Sequence, residues 1–143
     1  MWLQRQIALV AKLRGSYWTT NEVLSNLSEL KNIKMGLANF FFQHTCVSSS
    51  LHENADPSVC RDLEVHFNML PPEGANRYEH LYEGAEDMPV HIKSSLFGCA
   101  LLIPVHCCKL MLGTWQGLVL GEHRDAVGSR CVVAALHGQC NEN

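Results

Sequence analysis

Residues 99–136 read C-A-L-L-I-P-V-H-C-C-K-L-M-L-G-T-W-Q-G-L-V-L-G-E-H-R-D-A-V-G-S-R-C-V-V-A-A-L, and their pattern decides the fold class. Four apolar runs, 99–105, 109–115, 117–123 and 130–136, are rich in Val, Leu and Ile and separated by short turn-like stretches. Connections that short join antiparallel strands, because a parallel crossover needs a dozen or more residues.

Upstream, Ile7, Leu9, Ala11 and Leu13 alternate with residues of mixed polarity, which predicts a half-buried strand over Gln4–Leu13. Gly15 then allows a turn. In T-T-N-E-V-L-S-N-L-S-E-L (19–30) a capping Thr or Asn precedes Val23, Leu27 and Leu30 at helical spacing, so a helix follows. A second strand is expected over Lys34–His44, through Phe40, Phe41 and Phe42. Asp56 followed by Pro57 signals a helix start, with Val59, Leu63, Phe67 and Leu70 as its apolar face, closed by Pro71 and Pro72. Residues 71–89 read as a long polar loop, and His91–Phe97 as a short helix ended by Gly98. The derived architecture is one α+β domain over 1–143, an antiparallel sheet system with two or three short helices.

The chain has 143 residues, 47% hydrophobic and 17% charged, with a formal charge of -3. That is a globular composition without the basic run that nucleic-acid binding needs. No stretch approaches the roughly 18 apolar residues of a membrane span, and the N-terminal run is too interrupted for a signal peptide. A soluble, cytoplasmic protein is expected. Seven cysteines, an odd number including the adjacent Cys107 and Cys108, read as thiols rather than a disulfide framework.

Chemically capable side chains concentrate in three phrases, H-T-C-V-S-S-S-L-H-E-N-A-D-P (44–57), E-G-A-E-D-M-P-V-H-I-K-S-S (83–95) and L-G-T-W-Q-G-L-V-L-G-E-H-R (112–124). Convergence of His44, His80 and His91 would supply three imidazoles to a divalent metal, zinc or magnesium, with a position left open. Their spacing matches no short metal motif, and each also suits a hydrogen-bonded structural role. Glu53 is a carboxylate for Mg²⁺ or for orienting a histidine, although it also complements the start of the following helix. Lys93, Ser94 and Ser95, read as a helix start, would form a compact phosphate site, and Arg130 is a bidentate phosphate holder, against the plain reading of solvated residues. Trp115 would stack on a flat ring while Gln116 reads its polar edge, unless the tryptophan is core packing. Glu122, at the end of an apolar strand, would have a raised pKa in a cleft and suit acid/base work. His44 and Cys46, two apart on a strand, would share a face and make a thiol with a neighbouring base.

In order and spacing, these phrases resemble those of the YjbQ-like proteins, also called the secondary thiamine-phosphate synthase family, over nearly the whole chain. The resemblance implies a β-sandwich-like fold assembling as a homotrimer, and His44, His80 and His91 fall on histidines of the family's motif. His52 stands where the family pattern usually has Asn, and Cys46 where it usually has Ser. The implied activity joins a pyrimidine methyl diphosphate to thiazole phosphate with release of pyrophosphate. A metal- or small-ligand-binding protein and a metal-assisted hydrolase would use nearly the same residues.

Overall fold

The computed structural model describes residues 1–74, 76–125 and 128–142. In chain order its elements are β1 (Trp2–Leu9), β2 (Gly15–Trp18), α1 (Thr20–Ser25), a 3-10 turn (Ser28–Asn32), β3 (Ile33–Phe42), β4 (Val47–Glu53), α2 (Ser58–Met69), α3 (Asp87–Phe97), β5 (Ala100–His106), β6 (Lys109–Leu110), β7 (Gln116–Glu122) and β8 (Arg130–Cys140). They form a mixed α+β fold of two antiparallel sheets, one ordered β1-β8-β3-β5-β6 and the other β2-β7-β4.

The core lies between the inner faces of these sheets. Phe40 and Phe42 are buried while Phe41 is exposed, and Val132, Ala134 and Leu136 repeat that alternation on β8. From the smaller sheet Leu118, Leu120 and Val47 close the core, joined by Val23 of α1 and by Leu27 and Leu30. Each of these Phe, Val and Leu side chains stabilises the fold by about 1.5–3 kcal/mol relative to exposure.

One close approach sets the centre of the larger sheet. Gly36 pairs with Gly138 across β3 and β8, and a Cβ on Gly36 would lie 2.2 Å from the His137 carbonyl oxygen. Only glycine admits backbones that near.

The first strand differs from its expected span. It ends at Leu9, because the Val10 N–H donates to Glu22 Oε1 at 2.5 Å and Lys12 Nζ reaches Glu22 Oε2 at 2.9 Å. These bonds draw 10–13 off the ladder, and pairing resumes in β2 on the other sheet. The phrase Val47–Glu53 is itself a strand, paired along its length with β7. Its three serines hide it from a hydrophobicity pattern.

The Asp56 helix forms as expected, with the Ser58 N–H donating to Asp56 Oδ1 at 2.9 Å. Phe67 is its buried anchor, packed on Phe97 with ring centroids 4.2 Å apart, whereas Leu70 is exposed. The predicted loop is shorter than 71–89, because α3 begins at Asp87. Pro89 sits in its first turn, where backbone N–H groups have no intrahelical partner and a proline costs nothing.

Candidate functional site

Three separate segments meet at the edge where β4 begins and β7 ends, at the Val47 and Glu122 pair. Residues 43–46 form the corner between β3 and β4, α3 lies against β4, and His123 and Arg124 follow β7. Two bonds pin α3 there: Ser94 Oγ donates to the Val47 carbonyl at 2.6 Å, and the Ser49 N–H to the Gly98 carbonyl at 2.9 Å.

At the start of α3, Asp87 is almost wholly buried. His80 Nε2 lies 2.7 Å from its Oδ2, and His91 Nε2, one helical turn away, lies 3.1 Å from its Oδ1. Arg124 Nη2 donates to Oδ1 at 2.5 Å. That hydrogen bond is the main reason the Asp87 carboxyl stays below the usual carboxylate range, with the charge of Arg124 adding to it.

His91 Nδ1 is 2.9 Å from the Thr45 carbonyl oxygen. A carbonyl only accepts, so Nδ1 carries the proton and in the neutral ring Nε2 presents a lone pair to Asp87. Two lone-pair-bearing atoms face each other unless a proton or a cation lies between them. The ligand atoms of His80, Asp87 and His91 all lie within 4.8 Å of one another. Two imidazoles and a carboxylate, one imidazole oriented through its other nitrogen by a backbone carbonyl, fit a zinc-type ion better than magnesium, which prefers all-oxygen surroundings.

Beside this cluster opens a cavity of about 670 Å³, lined by His44, Thr45, His80, Met88, His91, Ser94, Ser95, Gly98 and Cys99. A smaller recess of about 460 Å³ adjoins it, with Cys46, Tyr82, Arg124 and Arg130 on its walls. The structure therefore brings His44, His80, His91, Ser94 and Ser95 to one cavity.

Several expectations change. The third partner of His80 and His91 is Asp87 rather than His44, whose Nε2 accepts the Cys131 N–H at 2.8 Å. Burial and then the Arg130 charge push His44 below the ordinary histidine pKa, which matches a neutral acceptor. Lys93, Ser94 and Ser95 lie deep within α3 and not at its start, so their backbone N–H groups are not presented to an anion. Lys93 turns away from the cavity, buried, with Nζ on Asn68 Oδ1 at 3.0 Å.

Glu122 and Arg130 satisfy each other. Arg130 Nε and Nη2 donate to the two carboxylate oxygens at 2.7 and 2.8 Å, and both residues are buried. A carboxylate with both oxygens in a guanidinium fork is not a poised acid or base, and that fork is not open to phosphate. Glu53, Trp115 and Gln116 belong to the opposite end of the smaller sheet. Six residues of extended strand put Glu53 about 20 Å from Val47. There Glu53 accepts the Asp56 N–H and Gln116 Oε1 the Gly113 N–H, while Trp115 is 63% exposed. His44 and Cys46 do not share a strand face, because 43–46 is a corner.

Asp87 and Arg124 were absent from the sequence-based set. The D-M-P-V-H spacing carried the signal, since Asp87 and His91 are i and i+4 once Pro89 is accepted as a first-turn residue.

The family model described as "UPF0047 protein YjbQ-like" matches residues 5–139. The chain belongs to the YjbQ-like family. It is 47% identical over 139 residues to UPF0047 protein YjbQ of Escherichia coli O157:H7 and 49% identical to that of Salmonella typhimurium, covering 97% of this chain and 100% of each relative. Among solved structures, a conserved hypothetical protein from Thermus thermophilus superposes with a TM-score of 0.76 at 32% identity, covering 90% of this chain and 97% of that one. A YbjQ-like protein from Sulfolobus solfataricus gives 0.82 at 19% identity, covering 97% and 99%, a likeness of fold. The YjbQ-like fold thus spans both sheets and the helix that carries Asp87 and His91. Among the described residues no helix is long and apolar enough to cross a membrane.

Proposed function

We propose that this YjbQ-like protein is an enzyme acting on a small phosphorylated substrate, with a divalent ion held by His80, Asp87 and His91. The observation that supports this most directly is the convergence of ligand atoms from those three side chains beside the 670 Å³ cavity. Such an ion would neutralise charge building on a departing phosphate.

The chain's own groups prepare the site. Arg124 holds Asp87 ionised and fixed, and the Thr45 carbonyl sets the His91 ring. Met88 and Cys99 offer apolar walls to a ring, and exposed Ser95 offers a hydroxyl. The reaction toward which the family resemblance points is the thiamine-phosphate synthase type, in which a ring nitrogen bonds to the pyrimidine methylene as the carbon–oxygen bond to diphosphate breaks. A metal-assisted hydrolase is the second reading, favoured by a three-ligand set that leaves coordination positions toward the cavity.

The deciding experiment incubates the protein with pyrimidine methyl diphosphate, thiazole phosphate and Zn²⁺ or Mg²⁺, beside a His91→Ala control. Thiamine phosphate that vanishes in the control and on chelation supports the synthase. Chelator-sensitive hydrolysis of simple esters or lactones without condensation selects the hydrolase, and tight metal with neither turnover marks a metal-binding protein.

The homotrimer is likewise a proposal. It is supported by the outer face of the larger sheet, where Trp2, Met35, Leu37, Phe41 and Leu102 are exposed together. An apolar row of that kind marks a contact with further copies. A monomer by sedimentation at micromolar concentration would refute it.

A further inference from the structure

Behind the Asp87 and Arg124 pair lies a further cation that the site described above does not include. Arg14, just ahead of β2, collects partners from four segments. Its Nη1 donates to Glu73 Oε1 at 2.9 Å and lies 3.4 Å from Asn68 Oδ1 of α2. Nη2 is 3.7 Å from Glu86 Oε2, and Nε is 2.9 Å from Asp125 Oδ1. The side chain is only 18% exposed. Single exposed ion pairs count for little, but one mostly buried guanidinium shared by three carboxylates is a network, the case in which such pairs do stabilise.

Two of these partners adjoin the site. Glu86 immediately precedes Asp87, and Asp125 immediately follows Arg124. One guanidinium therefore ties together the chain neighbours of both ends of the 2.5 Å hydrogen bond between Asp87 and Arg124. Asp87 opens α3 and Arg124 follows β7, so the local chain does not set their separation. On the other side of Arg124, the His123 N–H donates to the Cys46 carbonyl at 3.2 Å and His123 Nε2 is 2.9 Å from Ser48 Oγ. Arg14 supplies the tie on the side of Asp125.

That tie is one of charge. Burial opposes the charge of Arg14, but its carboxylate partners outweigh burial and keep it a cation. Asp125 and Glu73 act on Glu86 as like charges. A neutral side chain at position 14 would leave the three carboxylates facing one another, and their repulsion would draw residue 86 away from residue 125. Asp87 and Arg124 would be drawn apart with them.

We propose that Arg14 is a positioning residue that sets the separation of Asp87 and Arg124 and, through Asp87, the ligand geometry of the ion site. The effect on the pair stands on these contacts alone, whereas the effect on an ion rests on the reading of His80, Asp87 and His91 given above.

Two measurements on the intact chain test this. The first, without metal, is a urea-unfolding cycle of Arg14→Met, Arg124→Met and the double variant. Because Arg14→Met already loosens the bond between Asp87 and Arg124, the double variant's unfolding constant should fall short of the product of the single effects by about fivefold or more. Independent, multiplying effects would overturn the proposal. The second is zinc affinity by calorimetry, which Arg14→Met should weaken about tenfold, the lower end of what losing an outer-shell partner costs. Adding Asp125→Asn to Arg14→Met removes one repelling charge and should restore most of that loss. In the parent the same change at this exposed residue keeps the fold but cuts the tie, and should weaken zinc about two- to threefold, the size of an exposed ion pair. The effect of Asp125→Asn thus reverses sign with Arg14. Unchanged affinity in Arg14→Met, or a loss that Asp125→Asn does not restore, would overturn the positioning role. A parent that binds no zinc would refute the ion site, and the unfolding cycle would then decide Arg14 by itself.

Discussion

His91 Nε2 lies 3.1 Å from Asp87 Oδ1, one turn along the same helix, while its other ring nitrogen is held by the Thr45 carbonyl at 2.9 Å. The pair is thus pre-set from both sides, and what it leaves open is the space between a lone pair and a carboxylate. Asp87→Asn removes the charge and keeps the shape. Zinc affinity by calorimetry should fall by more than the roughly 10–100-fold typical of losing an outer-shell partner. Unchanged affinity would remove Asp87 from the ligand set.

His123 gives the protein a pH-dependent stability. Burial, then the charges of Lys93, Arg14 and Arg130, lowers its pKa to about 3. The unfolded chain takes up this proton near pH 6.5 and the folded chain does not, so His123's contribution is complete above about pH 6.5. It declines on acidification through the interval down to about pH 3, by at most about 1.4 kcal/mol per pH unit. Urea unfolding at pH 7, 6, 5 and 4 should show this slope, and His123→Gln should flatten it relative to the parent.

Glu122→Gln separates structural from chemical roles at the buried Arg130 pair. Leaving Arg130 without its carboxylate should cost about 3–5 kcal/mol of stability. In the protein that remains folded at low temperature, metal affinity should be close to that of the parent. Loss of turnover with unchanged stability would instead restore Glu122 as an acid or base.

Gly36→Ala should destabilise by about 1–3 kcal/mol or more, since its Cβ would lie 2.2 Å from a backbone oxygen that cannot swing aside. Gly128→Ala, where a Cβ meets nothing within 4 Å, is the matched control. Equal thermal midpoints for the two would show that β3 and β8 can separate freely.

Filling the cavity with Ser95→Trp, at an exposed position on α3, should abolish turnover of phosphorylated substrates while zinc still binds. Turnover equal to that of the parent would place the substrate elsewhere.

Three of the four strands expected in 99–136, the Phe40 to Phe42 alternation and the Asp56 helix could be read in advance because burial imprints a period on the chain, whereas the run 109–115 is a strand only at Lys109–Leu110. A side chain's face follows from its parity in a strand or its angle in a helix. β4 escaped that reading because three serines carry no apolar signal, and pairing with β7 makes it a strand. Pro89 concealed the first turn of α3, and with it the alignment of Asp87 on His91.

By itself the sequence determined the antiparallel α+β class and the resemblance to the family, and through that resemblance it pointed to His44, His80 and His91. Only the tertiary structure decided which groups touch. It exchanged His44 for Asp87, paired Glu122 with Arg130, and sent Glu53 and Trp115 to the far end of the sheet. The reason is that periodicity reports a residue's environment, inside or outside. Which side chains from 43–46, residue 80, α3 and 122–130 converge depends on how separate elements pack, and local spacing carries no record of that.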